Sequence, residues 1–331
     1  MKRLAQLFAL VAILALAIGH RARAQQANNN DIVTSPGPPT QVFDNADRVF
    51  LRVRPSDTDP QLHRYLKDHV VLIEHGTPTT APLFLFMPGT GGVPWEYLPF
   101  LTAASKAGYR VAGLVYDDIP AVAQVCQSRS DATCSGLFRE KRIFGKDVSK
   151  DIDDLPEESI VNRLTKLLQY LDAQYPNGGW GGYLVNGQPN WERIAVSGHS
   201  QGAGMAAMIA KRYLVDRVVL LSGPWDHYAP YASIAPWVKD ASATPPDRWY
   251  AAYHQREHEA DTLKRAYKEL GVPADHIRVF TLEPNWAAMK SKPDPKEDYY
   301  HGTEATDLTP LKPDGTPAYA DDWAFLLGAA K

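Results

Sequence analysis

The sequence has little of what would assign it to a specialised class of protein. Only two of its 331 residues are cysteines, Cys126 and Cys134, which excludes a disulfide-rich scaffold. The formal net charge is −3 at pH 7, and neither a basic stripe nor an acidic tail stands out. We therefore expect no nucleic-acid partner. No internal repeat or second domain boundary is visible, and nothing in the sequence indicates an oligomeric state.

Long apolar runs are also scarce, and the one that stands out lies at the N-terminus. Lys2 and Arg3 precede the apolar segment Leu4–Ile18, and Ala22-Arg23-Ala24 follows it as a small-x-small cleavage site. This pattern predicts a signal peptide over residues 1–24. The apolar segment is too short for a typical membrane span, so we expect no stable membrane insertion after cleavage. The predicted location of the mature protein is secreted or periplasmic.

The rest of the chain is predicted to contain one domain. Residues 25–46 include a polar, proline-rich stretch and predict a disordered lead-in. Residues 47–331 are enough for a single α/β domain with a full core. In an exported protein, Cys126 and Cys134, with seven residues between them, predict a disulfide that closes a small loop.

Strand-like and helix-like segments alternate along this domain. Runs typical of strands lie at 49–53, 70–74, 83–87, 110–116, 194–197, 217–221, 248–253 and 277–282. Patterns typical of helices lie at 96–107, from 156 to about 175, at 203–212, 262–270 and 323–329. Such alternation predicts an α/β fold whose central sheet is mostly parallel and covered by helices.

The most informative motif is Gly198-His199-Ser200-Gln201-Gly202, which fits the pattern G-x-S-x-G. A short apolar strand precedes it, and a run of small, helix-competent residues follows. A strand, a sharp turn and a helix form the context that exposes a nucleophilic serine above a sheet. Glycines two residues before and two residues after the serine allow the two backbones to approach closely.

With these flanks, the motif resembles the nucleophile elbow of the α/β-hydrolase superfamily, in particular that of secreted esterases and lipases. The resemblance extends from Val49 to the C-terminus in the order of elements, and its specific motif is the elbow. It implies the α/β-hydrolase fold, with a mostly parallel sheet covered by helices on both faces. It also implies a serine hydrolase that cleaves small-molecule or lipid-like carboxylic esters through an acyl-enzyme intermediate, without metal or organic cofactor.

In this superfamily the catalytic residues follow the order serine, acid, histidine. The resemblance therefore makes Ser200 the nucleophile and His301, in the long loop after the last strand, the general base. The acid is expected after the preceding strand, and Glu257 is preferred. Three other carboxylates remain open as alternatives: Glu259, Asp226 and Glu283.

The resemblance also implies two backbone N–H donors for the oxyanion of the intermediate. One is Gln201, the residue after the nucleophile. The other lies in the loop Pro88–Gly92, where Thr90 is preferred and Gly91 comes second.

Two other functions stay open. His254-x-x-Glu257-His258 fits H-x-x-E-H, and on a helix the two histidines would bind zinc in a hydrolase or peptidase. A non-catalytic binding protein on the same fold is the other alternative. Several aromatic residues follow strand ends and either line an apolar pocket or pack a long loop: Trp95, Tyr97, Trp225, Tyr228, Tyr231 and Trp237.

Overall fold

The computed structural model describes residues 38–229, 233–289 and 298–329. The predicted signal peptide, residues 1–24, and the first part of the predicted lead-in lie outside the described residues. Within these ranges, no helix is both long and apolar enough to cross a bilayer.

The described residues form a nine-stranded sheet and two small two-stranded sheets. The strands of the large sheet are β1 (Gln41–Asp44), β2 (Arg48–Val53), β3 (His69–Glu74), β4 (Leu83–Met87), β5 (Arg110–Gly113), β8 (Ile194–His199), β9 (Val218–Leu221), β12 (Trp249–His254) and β13 (Ile277–Phe280). The short strands are β6 (Leu184–Val185) with β7 (Gln188–Pro189) and β10 (His227–Tyr228) with β11 (Ser233–Ile234).

The large sheet has the order β1-β2-β3-β5-β4-β8-β9-β12-β13. The pairs from β5 to β13 are parallel, whereas β1, β2 and β3 pair in antiparallel fashion and β3 is antiparallel to β5. The carboxyl ends of β4, β8, β9, β12 and β13 therefore meet at one edge of the sheet. In open α/β sheets, ligands bind at this edge.

The helices lie between these strands. They are α1 (Pro55–Thr58), α2 (Leu98–Lys106), α3 (Val122–Cys126), α4 (Cys134–Phe144), α5 (Ile160–Gln174), α6 (Gln201–Arg212), α7 (Pro236–Lys239), α8 (Ala260–Leu270) and α9 (Ala320–Leu327). Short 3-10 turns occupy Pro94–Tyr97, Pro156–Glu158, Pro176–Gly178, Trp180–Tyr183, Trp191–Arg193, Pro246–Arg248, Ala274–His276, Trp286–Ala288 and Tyr299–Gly302.

Alternate side chains of each central strand enter different cores. In β4, Leu83, Leu85 and Met87 belong to the core that contains the inner faces of α4, α5, α6 and α8. Phe84 and Phe86 belong to the core that contains α2 and α9. A strand buried on both faces has this continuous apolar sequence. The predicted fold class is therefore confirmed: the protein has an α/β-hydrolase fold with helices on both faces of its sheet.

One boundary of the predicted lead-in, residues 25–46, is wrong. Gln41–Asp44 forms β1, which pairs along its whole length with β2. The ring of Phe43 lies 5.6 Å from that of Phe50, and the Thr40 hydroxyl donates to Asp57 over 2.8 Å. The strand is short and its four side chains are exposed, so the sequence carries no alternation of apolar and polar residues that would indicate it.

Helix α4 was not predicted from the sequence. Its buried side includes Arg139, Glu140 and Arg142 as well as apolar residues, and Gly136 lies in its first half. Charged residues on the inner side obscure the helical periodicity that the prediction relied on. This helix is important because it forms one wall of the candidate site.

Candidate active site

Ser200 occupies the sharp turn between β8 and α6, with φ = 57° and ψ = −119°. A non-glycine residue at positive φ is strained and needs support from its surroundings. The support is a close approach of backbones: a Cβ at Gly198 would lie 2.3 Å from the carbonyl carbon of Gly202. At Gly202 it would lie 2.0 Å from the carbonyl oxygen of Met87. Both positions therefore require glycine.

The loop Pro88–Gly92 lies directly against this turn. A Cβ at Gly89 would be 3.0 Å from the Cβ of Ser200, so the loop backbone covers the serine side chain. The N–H of Gly91 donates to Asp118 over 3.1 Å, which fixes the loop. By contrast, the N–H groups of Thr90 and Gln201 have no hydrogen-bond acceptor within the described ranges. Both are thus available to a ligand.

A pocket of about 400 Å³, including its open mouth, begins at these residues. Thr90, Ser200 and Gln201 are among its lining residues. Its walls come from α3, from α4 and from the segment that follows β9, which includes Trp225 and Asp226. The nucleophile and oxyanion residues predicted from the sequence therefore share one pocket.

Glu257 and His301 lie in direct contact. The Nδ1 atom of His301 is 2.6 Å from Oε2 of Glu257. The other carboxylate oxygen, Oε1, accepts from the Ser222 hydroxyl over 3.0 Å and from the His254 N–H over 2.9 Å. Three donors thus hold the Glu257 carboxylate, whose side chain is fully buried. His301 is 24 % exposed and packs edge-on against Trp225, a residue of the pocket.

The other proposed acids have different partners. Asp226 is bound by both Nε and Nη2 of Arg139, at 2.7 and 2.6 Å. Glu283 pairs with Arg256 and accepts from the Tyr300 hydroxyl. Glu259 lies at the start of α8. Of these four described carboxylates, Glu257 alone contacts His301.

His199, which precedes the serine, links the loop Pro88–Gly92 to the histidine loop. The Gly89 N–H donates to the Tyr97 hydroxyl over 3.3 Å, and Tyr97 in turn lies 3.1 Å from Nδ1 of His199. On the other side, Nε2 of His199 lies 2.5 Å from the carbonyl oxygen of His301. Burial, reinforced by the nearby His301, lowers the pKa of His199 to about 3. His199 is therefore a neutral bridge that anchors the backbone of His301.

Glu304 is a second buried carboxyl group close to Glu257. It is 0 % exposed, and its Oε2 atom has no hydrogen-bond partner among the described residues. That atom lies 3.9 Å from Nε2 of His199. Burial, and then the charge of Glu257, raise the pKa of Glu304 well above its ordinary value. Burial and the nearby Glu257 carboxylate therefore both favour the protonated form of Glu304.

Further side chains position this site, and the sequence analysis did not single them out. Oε1 of Gln201 accepts from the Val122 N–H over 2.9 Å, and its Nε2 donates to the Asp118 carbonyl over 2.6 Å. Nη1 of Arg139 donates to the Gln201 carbonyl over 3.1 Å. The buried arginine of α4 and the aspartates after β5 have no local sequence motif, so only the fold reveals their proximity.

The premise of the zinc alternative is wrong, because His254 ends strand β12 and does not lie on a helix. Its Nδ1 accepts from the Arg256 N–H over 3.1 Å, and its Nε2 lies 3.0 Å from the Leu282 carbonyl oxygen. Both ring nitrogens are therefore occupied. His258 is exposed and points towards Asp298.

The two cysteines form a disulfide, and Cys126 lines the pocket. Of the aromatic residues named from the sequence, Trp225 lines this pocket. Tyr97 and Trp237 are buried in the two cores and Trp95 packs against Arg52. Tyr231 lies outside the described residues.

No protein-family model matches this sequence, and no curated protein matches it. Solved structures with a similar arrangement include an S-formylglutathione hydrolase from Agrobacterium tumefaciens, at 11% identity and a TM-score of 0.41, covering 73% of this chain and 89% of that one. A fungal esterase from Rhizomucor miehei gives 13% identity, a TM-score of 0.36 and 78% coverage of each chain. The fold class rests on the sheet and helix layers described above.

The raised pKa of Glu304 has a consequence for stability. The unfolded chain releases this proton at lower pH than the folded protein does. The free energy of unfolding that Glu304 contributes is therefore fully present below the ordinary carboxyl pKa. It is lost as the pH rises towards the raised pKa of Glu304 in the folded protein. The Glu304→Gln variant has no such proton to release, so it escapes this loss of stability. We therefore expect the melting temperature of the variant minus that of the native protein to increase as the pH is raised from about 5 to about 8.

Thermal denaturation across this pH range measures the effect. The matched control is Glu192→Gln, at an exposed position, which should follow the native protein at every pH. Parallel curves for Glu304→Gln and the native protein would show that Glu304 is ionised in the folded state.

Proposed function

We propose that this protein is a serine hydrolase that cleaves carboxylic esters through an acyl-enzyme intermediate. The observation that carries the proposal is the contact between Glu257 and His301 beside the strained turn at Ser200. A serine hydroxyl is a weak nucleophile unless a neighbouring base accepts its proton, and that base needs a fixed orientation. The second candidate, zinc hydrolysis, has no such support, because both ring nitrogens of His254 bond to backbone groups.

The hydrogen bonds assign a role to each nitrogen of His301. Oε1 of Glu257 accepts from the Ser222 hydroxyl and from the His254 N–H, and a carboxylate has no proton to donate. In this proposal Nδ1 of His301 therefore carries the proton and donates it to Oε2 over 2.6 Å. Nε2 then has a free lone pair and acts as the base. During the reaction, the same carboxylate stabilises the imidazolium that forms.

In the first half of the reaction, the Oγ atom of Ser200 bonds to the ester carbon as its proton moves to Nε2 of His301. The carbonyl oxygen takes the negative charge, and the free N–H groups of Thr90 and Gln201 stabilise it. Collapse of the intermediate breaks the bond to the alcohol, which leaves with the proton from His301. Water then repeats these steps on the acyl-enzyme and releases the acid.

We extend the proposal to an exported location, secreted or periplasmic. The support is the N-terminal pattern of residues 1–24 together with the Cys126–Cys134 disulfide, since disulfides persist in oxidising compartments.

The nucleophile is tested by replacing Ser200. We expect Ser200→Ala to lower kcat for p-nitrophenyl esters by about 10⁴-fold or more, because the covalent route is lost. A fluorophosphonate probe should label Ser200 in the native protein, as peptide mass spectrometry would show. Full activity in the folded variant, combined with loss of activity in a strong chelator, would favour metal chemistry. A native protein that binds esters without cleaving them would favour a binding role.

The acid is tested by a pair of variants two residues apart. Glu257→Gln keeps the size of the side chain but removes the charge that stabilises the imidazolium, so we expect kcat to fall by about 10²- to 10⁴-fold. Glu259→Gln makes the same chemical change at the start of α8 and should leave kcat within about twofold of native. A larger loss in Glu259→Gln, with both variants folded by circular dichroism, would reverse the assignment.

Export is tested by expressing the full chain in a bacterial host and isolating the protein outside the cytoplasm. N-terminal sequencing should then begin at Gln25, because Ala22-Arg23-Ala24 forms the predicted cleavage site. Protein that keeps Met1 and remains in the cytoplasm would contradict the proposal.

A further inference from the structure

Three separate segments of the chain form walls of the pocket, and one short loop is bonded to all of them. The walls come from α3, from α4 and from residues 224–227 after β9. Residues 127–133 connect α3 to α4, and the disulfide between Cys126 and Cys134 joins the two ends of this connection. We call residues 127–133 the disulfide loop.

The disulfide loop also holds the third wall. The carbonyl of Arg129, within the loop, accepts from the N–H of Ala229 over 2.7 Å. Ala229 comes two residues after His227, which lines the pocket. The N–H of Arg129 donates to the Cys126 carbonyl over 3.0 Å, so the loop folds back on the residue that forms the disulfide. One covalent bond therefore influences the spacing of all three walls.

The two ends of α3 are held in different ways. At its start, the Val122 N–H donates to the side chain of Gln201 over 2.9 Å. At its end, Cys126 is 2% exposed and is joined to α4 by the disulfide. The helix has only five residues, and so short a helix depends on tertiary contacts. Loss of the disulfide would therefore release the end of α3, while its start stays bound to the residue after the nucleophile.

The reacting groups do not depend on the disulfide loop. The close backbone approach at Gly198 and Gly202 holds the turn of the nucleophile, and Glu257 contacts His301 directly. None of these contacts involves residues 126–134. A change in the disulfide loop should therefore alter the width of the pocket and leave the reacting groups in place.

The small size of the pocket makes its width important for substrates. With its open mouth the pocket measures about 400 Å³, close to the lower limit for sites that bind small molecules. The residues of α3 that line it are Val122, Ala123 and Cys126, all with small side chains. Such side chains have little freedom to move aside for a larger ligand. The room for a substrate is therefore set by the spacing of the backbones.

We infer that the Cys126–Cys134 disulfide restricts this site to small, short-chain esters, and that the disulfide loop is the element that determines the size of the substrate. The inference rests on the proposed esterase function and adds a substrate class to it. It concerns the size of the ester as a whole, so a limit on either its acyl or its alcohol side fulfils it.

The test measures kcat/KM in two series: p-nitrophenyl acetate against p-nitrophenyl octanoate, and ethyl acetate against octyl acetate. In the native protein we expect the long ester to be the poorer substrate by about tenfold or more in at least one series, because the added methylenes lack room. In the folded variant Cys126→Ala/Cys134→Ala, this long-to-short ratio should increase by about tenfold. Activity on the short ester should stay close to native.

The matched control is Ser128→Ala/Ser130→Ala, which changes two exposed positions of the disulfide loop and should keep the native ratio. A further variant, Ala123→Leu, acts in the opposite direction with the disulfide intact. It fills part of the α3 wall, so the long-to-short ratio should fall below the native value. Thermal unfolding of each variant separates a change in selectivity from loss of fold. If the cysteine variant does not fold, Ala123→Leu decides.

Equal kcat/KM for short and long esters in both series of the native protein would overturn the inference and leave the esterase function intact. An unchanged ratio in the folded cysteine variant, or in Ala123→Leu, would do the same. Loss of activity on the short esters in the folded cysteine variant would also overturn it, because the disulfide would then serve the reaction itself. Turnover of none of these esters by the folded native protein would overturn the proposed function, and this inference with it.

Discussion

The close approach of three backbone segments at the Ser200 turn is the constraint on which the site depends. Strand β8, helix α6 and the end of β4 meet where Gly198 and Gly202 leave no room for a Cβ. This contact holds Ser200 in its strained conformation and places the loop Pro88–Gly92 against it. The free N–H groups, the mouth of the pocket and the position of His199 all follow from that contact, since each belongs to one of these segments or packs on one.

Buried charges then fix the surroundings of the turn. Removing Arg139 would leave Asp226 as an unpaired buried charge, which costs about 3–5 kcal/mol in typical proteins. Arg139 also ties α4 to the start of α6, because its Nη1 donates to the Gln201 carbonyl over 3.1 Å. Arg142 acts similarly through Asp154, which it binds over 2.8 Å. The helix that carries both arginines thus supplies the rigidity of the pocket wall.

The sequence was sufficient for the fold class and for the sharp strand–helix turn at Ser200, because the motif and the strand–helix alternation are local. His301 followed from the order of elements, and its contact with Glu257 agrees with that prediction. The choice between Glu257 and Glu259 could not be made locally, since both follow β12 within a few residues and only the turn decides which one faces inward.

The two neighbouring histidines show how the structure divides charge within the site. The rings of His199 and His301 are 4.7 Å apart, so two positive charges there would repel each other. Burial keeps His199 neutral, with its pKa lowered to about 3, while His301 is partly exposed and faces the Glu257 carboxylate. His199 contributes as a neutral donor to the backbone of His301, and the Glu257 carboxylate lies against Nδ1 of the His301 ring.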